Sequence, residues 1–97
     1  MKLGLVLATK RDLALCAALA HAARRARHEV ALFAMDAGAA ALAESPEVAA
    51  ALLDDDCEVT VCSNSAVGLA LTDGIVRGSQ DDHAAVLGTS DRTICLT

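Results

Sequence analysis

The chain opens on an almost unbroken apolar run, Lys2 to Ala8, the pattern of a strand covered on both faces. Thr9-Lys10-Arg11-Asp12 interrupts it. From there Leu13, Cys16, Ala17, Ala20 and Ala23 recur at helical spacing, which predicts a helix to about Arg27 with Asp12 at its N-cap or first turn. Glu29 to Met35 reads as the second strand and Asp36-Ala37-Gly38 as the turn that ends it. A short helical piece over Ala39 to Ala43 precedes Ser45-Pro46, an N-cap and N1 proline for a helix reaching Leu53 or Asp54. Glu58 to Cys62 is the third strand, and Ser65 to Leu71 a short helix or turn. Asp73-Gly74 and Gly78 punctuate the stretch Thr72 to Gly78. Ser79-Gln80-Asp81-Asp82 is a capping box opening a helix that Gly88 closes, and Arg92 to Leu96 is the last strand. Strand and helix alternate throughout. The fold class is therefore α/β, a small parallel sheet with right-handed crossovers and helices on both faces, in a single domain over residues 1–97.

Composition adds a constraint on size. A domain of 97 residues buries only about 60 to 65% of its unfolded surface. With 55% hydrophobic residues, mostly Ala, Leu and Val, self-association is the expected supplement to so small a core. Phe33 is the one aromatic residue, so there is no platform on which bases could stack, and the net charge of −5 opposes general binding to nucleic acid. Arg24, Arg25, Arg27 and His28 do cluster, but at the end of the first helix, where cations favour the macrodipole. The acidic stretch Glu44 to Glu58 reads as a solvated helix face. No segment has the roughly 18 apolar residues of a membrane span. Met1 to Ala8 reads as a buried first strand rather than a signal peptide, so a cytoplasmic location is expected, with the four cysteines kept as thiols.

Cys62 is the candidate for chemistry. It ends the third strand and is followed by Ser63-Asn64-Ser65 and a short apolar segment. That places a sulfur at the carboxyl edge of a parallel sheet, where open α/β folds bind ligands, and near a helix N-terminus, whose N–H groups stabilise a thiolate. Cysteine is also among the most commonly buried residues, so an inert packed thiol is the competing reading.

Cys57 to Gly74, a strand ending in cysteine, a short helix and an Asp-Gly turn, resembles the DsrE/DsrF-like (TusD-like) sulfur-relay family. Gly78-Ser79-Gln80 before a helix and Ser90-Asp91-Arg92 before the final strand extend the resemblance, as do the first strand and the Phe33 to Gly38 strand end. It implies a flavodoxin-like fold and a cytoplasmic homo-oligomer (trimer or hexamer), or a hetero-oligomer with related subunits. It also implies that Cys62, the matching position, takes sulfur as a persulfide from a donor protein and hands it to an acceptor. A family glycine before that strand is replaced here by Asp56-Cys57.

Such a relay needs a thiolate and access, with no metal or nucleotide. Lys10 and Arg11 after the first strand and Asp36 after the second should reach the same sheet edge. The cations could lower the Cys62 pKa, Asp36 could orient a neighbour or cap its turn, and Ser63, Asn64 and Ser65 could donate hydrogen bonds to the sulfur or cap a helix. Cys16 and Cys95 are expected in the core, and Cys57 partly exposed. His83 could approach the site from a neighbouring subunit. Cys57 and Cys62 lie about 16 Å apart on opposite strand faces, which rules out a mutual disulfide or shared zinc. With no Walker-type or Gly-x-Gly-x-x-Gly loop, no cofactor is called for. Two rivals to sulfur relay stay open: a non-catalytic oligomeric subunit or binding module, and a thiol-redox protein.

Overall fold

The computed structural model describes residues Met1–Thr97. The apolar opening run forms β1 (Lys2–Leu7), and the chain continues through α1 (Leu13–Arg25), β2 (Glu29–Ala34), α2 (Ala37–Glu44), α3 (Pro46–Asp54) and β3 (Glu58–Cys62). It ends with β4 (Val76–Gly78), α4 (Gln80–Thr89) and β5 (Arg92–Leu96). The strands lie in the order β4-β3-β2-β1-β5, all parallel. From β1 to β4 the chain steps across the sheet in one direction, so right-handed crossovers lay α1, α2 and α3 on one face; the long return from β4 to β5 runs the other way and lays α4 on the opposite face.

Strand alternation then sorts the side chains. Leu5, Leu7, Val30, Leu32, Ala34, Val59 and Val61 point toward the three-helix face and close a core with Cys16, Ala20, Leu42 and Leu52. The other set includes Val6, Phe33, Thr60 and Cys62, in line with the pairings Val6 to Phe33 and Phe33 to Thr60. Only α4 covers them, and it contributes no buried residue of its own. The two layers are therefore unequal, and Cys62 lies on the thin side.

Local chemistry accounts for the helix ends. Both α1 and α3 finish in Schellman turns with a non-glycine residue in the left-handed region, Arg27 (φ 67°) and Asp56 (φ 60°). The paired bonds are His28 N–H to Ala23 and Arg27 N–H to Arg24 for α1, and Cys57 N–H to Leu52 and Asp56 N–H to Leu53 for α3. Arg24 then ties the two ends together, donating to the Asp55 carbonyl (2.8 Å) and to the His28 carbonyl (3.0 Å). At least this member of the basic cluster is a structural clamp.

Several expectations need correction. Val76–Gly78 is a strand, where the sequence showed only turn residues. Of the two forms expected for the segment after β3, helix or turn, the structure has the turn. Residues Ala37 and Gly38 already belong to α2, whose start is wedged against β1: a Cβ on Gly38 would stand 2.1 Å from the Leu7 carbonyl oxygen. Asp12 and Ser45 occupy N-cap positions without side-chain capping bonds, and the Asp12 carboxylate accepts the Thr9 hydroxyl instead. Cys57 is buried, and Cys95 is exposed, because β5 is an edge strand and α4 does not cover that side of it. Cys16 is in the core as expected.

Candidate functional site

Cys62 is the last residue of β3, paired with Gly78 of β4 at the carboxyl edge of the sheet. The chain then folds straight back over it. The Ser63 N–H donates to the Gly78 carbonyl (2.8 Å) and the Ala66 N–H to the Cys62 carbonyl (2.9 Å), closing a turn that gathers the Asn64 and Ser65 N–H groups around the sulfur. Arg77 on β4 pins this turn from outside, donating to the carbonyls of Ala66 and Leu69, each at 3.0 Å. Two carbonyls in one guanidinium fork fix the turn's position as well as its shape.

The sulfur's donors are the Ser65 N–H, the Ser65 hydroxyl, the Asn64 N–H and the Gln80 side-chain amide, whose Nε2 is 3.8 Å away. Led by the Ser65 N–H, they hold the Cys62 pKa below its ordinary value against the opposing effect of burial, because hydrogen bonds to an anion favour the anion. The Ser65 hydroxyl is itself placed by Asp36, whose backbone N–H donates to its oxygen at 2.9 Å and leaves its proton free for the sulfur. Asp36 reaches this position in the left-handed region, at φ 52°. Its contribution to the site comes from the main chain. Cys62 itself is 6% exposed, lying just under the surface at the strand's end.

The helix N-terminus beside the thiol belongs to α4, which enters from across the sheet. Its capping box forms as expected, with the Ser79 N–H donating to Asp82 (2.7 Å) and the Asp81 N–H to the Ser79 hydroxyl (3.2 Å). This sets Gln80, the first helical residue, over the sulfur. His83, one turn on, contacts Gln80 Oε1 through Nδ1 at 3.2 Å and stacks on Phe33 with centroids 4.9 Å apart. Gln80 and Arg77 were not singled out from the sequence, and His83 comes to the site from the same chain. The capping box was the available signal for Gln80, but its meeting with Cys62 depends on the β3–β4 register.

The remaining candidates lie elsewhere. Lys10 is paired with Glu44 (2.8 Å) and Arg11 with Asp12 (3.5 Å), and neither cation is among the groups that shift Cys62. Ser63 contributes its backbone bond to Gly78. Burial, reinforced by the neighbouring Cys57 and Asp12, pushes the Cys16 thiol up to about 12. Burial and Asp55 push Cys57 up to about 11. Neither is a thiolate near neutrality. No group of three His, Cys, Asp or Glu side chains is placed to hold a metal ion. The largest cleft, about 550 Å³, lies toward the amino ends of the strands among Lys2, Glu58, Val76 and Val86, and Cys62 does not line it.

No model of a known protein family matches this sequence, and no curated protein matches it significantly. Among solved structures, it resembles the ychN protein of E. coli, with a TM-score of 0.78 at 20% identity, covering 99% of each chain. That likeness shows the fold alone: a flavodoxin-like α/β arrangement with a parallel sheet, as the sequence led us to expect. No helix is long and apolar enough to cross a membrane.

Proposed function

We propose that this chain is a small sulfur carrier in which Cys62 accepts sulfane sulfur as a persulfide and passes it on. The observation that carries the reading is the set of four donors on one sulfur at the sheet edge, which lowers the Cys62 pKa while Cys16 and Cys57 are held as thiols. The Cys62 thiolate attacks the outer sulfur of a donor persulfide. A new S–S bond forms to Cys62, the donor's S–S bond breaks, and the donor leaves as a thiolate; an acceptor thiolate then reverses the roles. Sulfur moves with no net oxidation. The donor groups that favour the thiolate also suit the terminal sulfur of a bound persulfide anion.

The incoming sulfur is held on a partner protein, so a deep small-molecule pocket is not required, and the cleft at the far end of the sheet has no part in the step. The Gln80 side chain that lies over the sulfur is itself exposed. An oligomer, homomeric or with related subunits, is part of this reading: Val67, in the turn after Cys62, is 78% exposed, Val76 at the start of β4 is 58% exposed, and the α4 side of the sheet is thinly covered. A cytoplasmic setting, with the thiols kept reduced, fits four free cysteines.

The 6% exposure of Cys62 favours a second reading, a packed subunit of the same fold with no reactive thiol. Limiting iodoacetamide at neutral pH, read by peptide mapping, separates the two. Labelling of Cys62 ahead of the exposed Cys95 supports the carrier. Labelling of Cys95 with Cys62 resistant supports the packed subunit.

A further inference from the structure

We propose that Gln80 and His83 are positioning residues for Cys62: His83 fixes the Gln80 amide with its NH2 group turned to the sulfur, holding the site ready for a thiolate or persulfide anion. The inference rests on the reading of Cys62 as the working thiol.

An amide has a donor end and an acceptor end, and its two orientations suit different partners. Gln80 Nε2 lies 3.8 Å from the Cys62 sulfur and Oε1 lies 3.2 Å from His83 Nδ1. In this orientation the amide donates to an anionic sulfur. Turned over, it would offer its carbonyl oxygen, which suits S–H and opposes S⁻. Because Oε1 can only accept, the observed orientation requires a proton on His83 Nδ1. The ring is held in turn by its parallel stack on Phe33 (interplanar angle 11°), which is fully buried and is the single aromatic residue of the chain. A line of constraint thus runs from the sheet through Phe33, His83 and Gln80 to the sulfur.

Charged side chains around this edge are Lys10, Arg11 and Asp12 after β1, Asp36 after β2, Arg77 on β4, and Asp81 and Asp82 on α4. All of them stay unchanged in the test. The rate of iodoacetamide alkylation at Cys62 is followed against pH by peptide mass spectrometry for the native chain, Gln80→Leu, His83→Phe and the double variant. His83→Phe keeps a ring on Phe33 and removes the N–H. Gln80→Leu should raise the Cys62 pKa and move the alkylation profile to higher pH, because one hydrogen bond to the anion is lost. His83→Phe should raise it by less, and the double variant should match Gln80→Leu alone, because His83 acts through the amide. Gln80→Glu, which keeps the shape and places a carboxylate by the sulfur, should raise it further. The proposal is overturned if Gln80→Leu leaves the pKa unmoved, or if His83→Phe shifts it equally in the Gln80→Leu background. These readouts report the thiol and not sulfur transfer. The expected pattern in a protein that never loads sulfur would refute the carrier reading alone; a protein that loads sulfur with a flat pKa series would refute the positioning roles alone.

Discussion

Gly78 joins the stability of the sheet edge to the state of the thiol. It is buried opposite Cys62 in the β3–β4 pair, and a Cβ there would stand 2.6 Å from Thr60 Cγ2 and 2.6 Å from Asp82 Oδ2. One of these atoms belongs to the neighbouring strand β3, and the other is the carboxylate that closes the capping box of α4. Gly78→Ala must therefore turn the Thr60 and Asp82 side chains aside, opening the capping box, or push the first turn of α4 off the sheet. Overpacking of this kind costs about 1 to 3 kcal/mol. For a domain of this size each kcal/mol corresponds to about 4 to 8 °C in Tm. Moving that turn also carries Gln80 away from the sulfur, so the alkylation profile of Cys62 should shift to higher pH along with the lower Tm. Gly88→Ala is the control on the same helix: nothing lies within 4 Å of its Cβ, and replacing a glycine in a helix should stabilise by about 0.5 to 1 kcal/mol. Urea unfolding at fixed protein concentration measures both. A Gly78→Ala protein as stable as the native one, with an unaltered Cys62 profile, would refute the close packing of α4 on the sheet edge.

Stability should fall in alkali, because a thiol whose pKa is raised by folding contributes stability that is complete below the unfolded value and is lost as pH rises toward the folded one. For Cys16 the window runs from the ordinary value of 9.0 to about 12, at about 1.4 kcal/mol per pH unit; Cys57, whose window ends at about 11, adds a smaller share. Urea midpoints from pH 8 to 11 check this, and Cys16→Ala should flatten the decline. Arg77→Met removes both bonds to the Ala66 and Leu69 carbonyls and should speed amide hydrogen exchange over residues 63–71 with little change in the core strands; unchanged exchange there would show the turn to be held by other contacts. Lys10→Ala should leave the Cys62 pKa where it is, since the Lys10 ammonium is paired 2.8 Å from Glu44; an upward shift in the alkylation profile would return Lys10 to the site.

The parallel α/β plan was readable because it is carried by local signals: apolar runs at Lys2 to Ala8 and Glu58 to Cys62, the helical repeat from Leu13, and the capping box at Ser79. The position of Cys62 at a strand's end was readable for the same reason. Contacts set by pairing between distant segments were not. Val76-Arg77-Gly78 is too short and too close to Gly74 to announce a strand, and only its register with Thr60, Val61 and Cys62 makes it one. That register brings the start of α4 to the sulfur, so Gln80 was invisible as a donor, and the stabilising helix N-terminus was assigned to the segment after β3. Cys95 shows the converse problem. Alternation in Ile94-Cys95-Leu96 says that two faces exist, but which face has a helix over it depends on where α4 crosses, and β5 turns out to lie at the uncovered edge.

The central claim is that Cys62 carries sulfur. Intact-protein mass spectrometry after incubation with a persulfide donor, on the native chain and on Cys62→Ser, tests it most directly. The account predicts a gain of one sulfur mass (~32 Da) in the native protein that reductant removes and that the variant lacks. The same adduct in both proteins, or none on Cys62, would contradict it.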